Sequence, residues 1–225
     1  YYNWKEILIR PVVPPSLTNE TFKNAKQRIF MSATLGNGGD LERVTGIKHF
    51  MRIPIPDGWE TQGLGRRFIS FPNMSLDEQE TDELLIELIK SVERAVVLVS
   101  SHPQVEDFHE YVNEYLPDYE VFDVKDIEKS KDSFIKSDKG IAILASRFDG
   151  MDFPGNQARL LIIKDIPYAS NLQESFLQSR VNASVIFFDR NRTRLVQALG
   201  RCTRSPKDYS AVVILGERDI SEWLT

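Results

Sequence analysis

Ala95-Val-Val-Leu-Val99 is a run of five apolar residues, three of them valine, with no polar residue at alternate positions. A strand with one face in water alternates, whereas an unbroken apolar run suits a strand covered on both faces, as in a parallel sheet. Ile29-Phe-Met31, Ile141-Ala-Ile-Leu-Ala145, Leu160-Leu-Ile-Ile163 and Ala211-Val-Val-Ile-Leu215 have the same character. Helical patterns lie between them. Ser75-Leu-Asp-Glu78 reads as a capping box ahead of Leu84, Leu85, Leu88, Ile89 and Val92, in a segment ending near Arg94. Pro103 opens a second helix carrying Val105, Phe108, Tyr111 and Val112, closed by Leu116-Pro117. A shorter helix is expected over 126–138, and two more over 171–183 and 189–203. Strands alternating with helices at this spacing predict an α/β fold, a parallel sheet sandwiched by helices. Ligands of such a sheet bind at the carboxyl ends of the strands.

The first 70 residues differ. Prolines at 11, 14, 15, 54 and 56 and glycines at 36, 38, 39, 58, 63 and 65 interrupt any long pattern, so one strand with connecting segments is expected there and a boundary near 65. The 225-residue chain is 41% hydrophobic, enough for a core, and no apolar run approaches the ~20 residues of a membrane span. The start at Tyr1-Tyr-Asn-Trp4 has no signal-peptide pattern and, without Met, reads as part of a longer chain. A single cysteine, Cys202, rules out an internal disulfide and fits a reducing cytoplasm, where the four Asn-x-Ser/Thr sequences are incidental. The net charge of −5 argues against a non-specific polyanion binder, yet acids crowd residues 77–128 and arginines crowd 180–204.

Those arginines surround Gln197-Ala-Leu-Gly-Arg-Cys-Thr-Arg204. On a continuous helix Arg190, Arg194, Gln197, Arg201 and Arg204 would share a stripe roughly 80° wide, with Leu195, Val196, Leu199 and Cys202 on the packed side. Planar guanidinium forks suit phosphate oxygens, and no acid lies between Arg190 and Arg204. A solvated face, or one paired with acids elsewhere in the chain, is the alternative. The apolar runs end in small polar segments that also suit phosphate: Ser32-Ala-Thr34-Leu-Gly36, Ser100-Ser-His102-Pro103 and Ser146-Arg-Phe-Asp149-Gly150-Met-Asp152-Phe-Pro154-Gly155.

In order, Ser32-Ala-Thr34, Val97-Leu-Val-Ser-Ser101, Gly150-Met-Asp152 and Gln197-x-x-Gly200-Arg201-x-x-Arg204 resemble motifs III, IV, V and VI of superfamily 2 helicases. Ser146 to Gly155, followed by Leu161-Ile-Ile-Lys-Asp-Ile-Pro-Tyr168, is similar to the DinG/XPD-like branch. The resemblance runs from about 28 to 217. It implies a RecA-like second motor lobe over 65–225, preceded over 1–64 by the end of the first lobe and the interlobe connection. By the same resemblance Arg204 matches the arginine finger that stabilises charge on the γ-phosphate, Arg201 its phosphate-binding neighbour, and Gln197 a donor in the same cleft. Asp152 would contact the nucleotide or fix the motif V loop, and Gly150 would let that loop approach closely. Asp149 stands where the branch usually has Glu. Ser32 and Thr34 match the element coupling hydrolysis to lobe movement. Ser100, Ser101, His102 and Ser146 would grip a nucleic-acid backbone without reading bases.

The cofactors implied are ATP and Mg2+, held mainly by an N-terminal RecA-like lobe of the same protein; the other implied partner is nucleic acid, single-stranded DNA by the branch, with RNA as the alternative. The chain itself has no Gly-x-x-x-x-Gly-Lys-Ser/Thr loop and no Asp-Glu-x-His or Asp-Glu-x-Asp strand end. A self-sufficient metabolic enzyme would need such a loop, and a purely interactive module has no use for an acid-free arginine stripe. Asp82-Glu83 sits mid-helix as a solvated pair, Gly36-Asn-Gly-Gly39 lacks dinucleotide spacing, and His49, His102 and His109 have no second ligand at metal spacing. Cys202 reads as a core residue.

Overall fold

A computed structural model of the chain describes residues 16–31, 39–54, 56–58, 65–145, 150–165 and 184–216, with 40, 43 and 184–190 described as backbone. Six parallel strands form one sheet: β1 (Arg66–Ser70), β2 (Arg94–Val99), β3 (Glu120–Asp123), β4 (Gly140–Ala145), β5 (Leu160–Ile163) and β6 (Tyr209–Ile214), ordered β1-β6-β5-β2-β4-β3. The described helices are α1 (Glu20–Asn24), α2 (Asp40–Thr45), α3 (Glu78–Lys90), α4 (His102–Tyr115), α5 (Val124–Lys129), α6 (Asp132–Lys136) and α7 (Ser184–Leu199).

The unbroken apolar runs arise because both faces of the sheet are covered. On one side Val96, Leu98, Ala142, Leu144, Leu161 and Val212 meet Phe134, Phe153, Leu195 and Cys202. On the other, Val97, Val99, Ile141, Ile143 and Ile162 meet Leu85, Ile89, Phe108 and Val112 of α3 and α4. Strands β2, β4 and β5 are buried at every residue. The edge strands β1 and β3 are not, and Phe68 in β1 is exposed.

Four expectations need correction. Ile29-Phe-Met31 forms no strand; Ile29 and Met31 are exposed, because no described strand offers this stretch a ladder. The capping box lies two residues later than expected. Asp77 accepts from the Glu80 amide at 2.9 Å and the Glu80 carboxylate accepts from the Asp77 amide at 3.1 Å, while Ser75 closes a 3-10 turn begun at Pro72. Residues 126–138 hold two helices, α5 and α6, because Ser130 at the end of α5 is extended. Finally, α7 ends at Leu199 rather than at 203, its last turn tightened by Gly200 N–H to Gln197 C=O (3.2 Å) and Arg201 N–H to Ala198 C=O (3.1 Å). The helix expected over 171–183 lies outside the described residues.

Candidate functional site

Because α7 stops before Gly200, the five-residue stripe does not exist as one helical face. Arg201 and Arg204 leave the helix in different directions. Arg201 is 1% exposed; its Nη1 donates to the Met151 carbonyl at 2.6 Å and its own carbonyl accepts from the Phe153 amide at 2.7 Å. The Arg204 side chain is 67% exposed, and its guanidinium bonds the Asp152 carboxylate. The alternative of pairing with a distant acid therefore holds for Arg204, and Arg201 serves the motif V backbone instead of facing outward. Gln197, half-buried on the last turn of α7, and Arg194, whose Nη1 donates to Asn191 Oδ1 at 3.4 Å, stay on the helix.

Residues 151–153 are held at each position. Besides the Arg201 and Arg204 contacts, the Lys131 ammonium, between α5 and α6, donates to the Asp152 carbonyl at 2.9 Å and lies 5.5 Å from the Phe153 ring centre. Gly150 has φ +90°, a left-handed conformation that disfavours any other residue. Among the described residues no atom lies within 4 Å of where its Cβ would be, so the space beside this backbone is open. Asp149 lies outside the described residues.

After Arg204 the chain turns on Asp208. One carboxylate oxygen, Oδ2, accepts from the amides of Arg204 (2.8 Å) and Ser205 (2.9 Å). Chiefly the first of these bonds holds the Asp208 carboxyl below the ordinary carboxylate range. Lys131 and Asp208 escaped the sequence reading. Lys131 sits in no motif, while the Ser205-Pro206-Lys207-Asp208 turn carried a usable signal.

At the carboxyl end of β2, Ser100 N–H and Oγ both donate to Gln104 Oε1 at 2.8 Å, so this hydroxyl is engaged within the chain. Ser101 precedes α4 without a side-chain cap bond, and His102 is exposed at its first turn. Val99 is in register with Ala145, which sets the exits of β2 and β4 side by side. Ser146, Ser32 and Thr34 lie outside the described residues. His109 pairs with Asp123 at 2.9 Å. Burial pushes the Cys202 thiol up to about 12, as befits a core residue. Among the described residues no three His, Cys, Asp or Glu gather to hold a metal, and no helix is long and apolar enough to cross a membrane.

Residues 85–222, more than half of the chain, match the helicase C-terminal domain family. The chain belongs to that family. This helicase C-terminal domain is 24% identical over 257 residues to a Methanocaldococcus jannaschii protein named "probable ATP-dependent helicase", covering all of this chain and 39% of the relative. Its fold is similar to an XPD helicase structure (TM-score 0.56, 17% identity, 86% of this chain and 39% of that one) and to an apo XPD structure (0.53, 18%, 81% and 43%). It thus spans about two fifths of the proteins it matches. The parallel sheet and the family together make it a RecA-like helicase C-terminal lobe, with a fold similar to that of the XPD structures.

Proposed function

We propose that this lobe completes the ATP site of an ATP-dependent DNA helicase and grips single-stranded DNA along the carboxyl edge of its sheet. Arg204 carries the reading. It is a mostly solvated planar fork standing on a backbone fixed by Asp208, in the motif where this family presents arginines to phosphate.

The donor set fits a triphosphate. Arg204 would hold its outer oxygens, with the backbone beside Gly150 open to approach; Arg201 would keep motif V and motif VI together through Met151. Bound ATP supplies the phosphoanhydride whose hydrolysis drives lobe movement. Until then the Asp152 carboxylate keeps the Arg204 fork in place. An exposed ion pair is worth only about 0–1 kcal/mol, so its release costs little. Among the described residues no group of three His, Cys, Asp or Glu gathers to hold Mg2+. Residues 65–225 form the lobe and 1–64 the end of an N-terminal RecA-like lobe with its connection; a reducing cytoplasm suits the single cysteine.

In the full-length protein Arg204→Ala should lower ATP hydrolysis by ~10³-fold or more, with a much smaller loss of nucleotide affinity. Arg204→Lys should not rescue, since a point charge cannot replace a planar fork. Fluorescence anisotropy with short DNA and RNA oligonucleotides tests the strand. Salt-sensitive, sequence-independent binding that favours DNA is expected. A full-length protein with no single-strand affinity at low salt and no nucleic-acid stimulation of its ATPase overturns the reading; preference for RNA overturns its DNA part.

A further inference from the structure

A guanidinium that must meet a developing charge needs a fixed root, and Arg204 is rooted in a loop, not in α7. Asp208 supplies what the helix does not. Its Oδ2 accepts from the amides of Arg204 and Ser205, its own amide donates to the Ser205 carbonyl at 3.0 Å, and its carbonyl accepts from the Arg66 amide of β1 at 2.8 Å. The next residue, Tyr209, begins β6. The carboxylate therefore stands between the sheet and the arginine. The loop is also packed from behind. Gly65 has φ +100°, and a Cβ on it would lie 2.8 Å from the Asp208 carbonyl oxygen, 2.9 Å from Thr203 Cβ and 3.0 Å from Asp208 Cβ.

We propose that Asp208 is a positioning residue for Arg204: its carboxylate ties the backbone of the arginine to the β1–β6 edge, so that the fork is held at a set height above the sheet. A charged acceptor makes shorter, stronger bonds to amides than a neutral one, which suits a carboxylate to the task. The inference rests on the reading of Arg204 as the residue acting on phosphate.

The test is a double-mutant cycle on the full-length helicase, reading kcat, KM for ATP and melting temperature. Asp208→Ala should lower kcat roughly 10- to 100-fold, the scale of a fork misplaced by about 1 Å, with KM nearly unchanged. Asp208→Asn retains an acceptor oxygen and should recover most of the loss. In the Arg204→Ala background Asp208→Ala should slow turnover no further. If Arg204→Ala leaves turnover intact, the reading of Arg204 fails. If Arg204→Ala slows turnover while Asp208→Ala does not, or if the two losses multiply, the role of Asp208 is overturned while that of Arg204 stands. Should Asp208→Ala not fold, Asp208→Glu carries the test: it keeps the charge and displaces the carboxylate by one methylene. A lowered kcat at unchanged melting temperature supports the inference, and a wild-type kcat overturns it.

Discussion

Arg201 and Arg204 stand three positions apart in opposite surroundings, and their truncations should fail in different ways. Removing the buried Arg201 side chain leaves the Met151 carbonyl without the bond it accepts, a loss of about 2–4 kcal/mol. Arg204→Ala removes an exposed pair and should change stability by less than about 1 kcal/mol. Urea unfolding of the two variants checks this; equal midpoints would contradict the assignment of one structural and one reactive arginine. Cys202 gives a second test, through pH. Its folded thiol ionises near 12, whereas an unfolded thiol ionises at about 8.5. Below pH ~8.5 both states keep the proton. Between there and 12 only the unfolded chain releases it, so stability should fall with rising pH by up to about 1.4 kcal/mol per unit. The urea midpoint of the wild type should therefore drop faster from pH 8 to 10 than that of Cys202→Ala; parallel slopes would count against the burial. The ion pair of Arg204 with Asp152 joins two positions that the motifs single out. The burial of Arg201 was not legible there, because the stripe assumed a helix running through Gly200, a residue that itself favours a helix stop.

Among the elements, the sheet shows which strands a sequence reveals. The runs within β2, β4, β5 and β6 are legible in the sequence, since a strand covered on both faces is apolar through its middle and admits polar residues such as Arg94 and Ser210 only near its start. The edges β1 and β3 were missed: Arg66-Arg-Phe-Ile-Ser70 and Glu120-Val-Phe-Asp123 mix exposed and buried positions over too few residues to set a period. The run at Ile29 erred the other way, apolar but with no described neighbour. At the opposite, amino end of the strands, Arg94 binds three carbonyls: Nε that of Gln157 (3.0 Å), Nη1 that of Ser137 (2.5 Å) and Nη2 that of Asn156 (2.7 Å). Gly140 lies under the same joint. A Cβ there would sit 2.3 Å from Ser137 Oγ and 3.4 Å from Arg94 Cγ. Gly140→Ala should thus destabilise by about 1–3 kcal/mol, and adding Ser137→Ala should recover much of it by removing the hydroxyl in the way. Strict additivity of the two in thermal unfolding would show that the clash is relieved elsewhere.

For the molecule as a whole, the proposed role divides the chemistry between two lobes. The chain alone should not turn over ATP, since it has the arginine side of a site and no Walker-type loop in its sequence. A phosphate-release assay decides: turnover that survives contaminant controls and disappears with Arg204→Ala would mean that the chain is self-sufficient. The order of the strands has a further consequence, one of timing. β1 is the first strand of the sheet to leave the ribosome, yet its ladder partner β6 is the last. At ~5–20 residues per second, β1 waits on the order of ten seconds with the amides and carbonyls that β6 will pair still open. A nascent chain in that state presents a sticky edge to its neighbours on the polysome. Messages cut short before Tyr209 should for this reason yield aggregated product, not a smaller soluble lobe, because β1 and β5 would both be left without the strand that joins them.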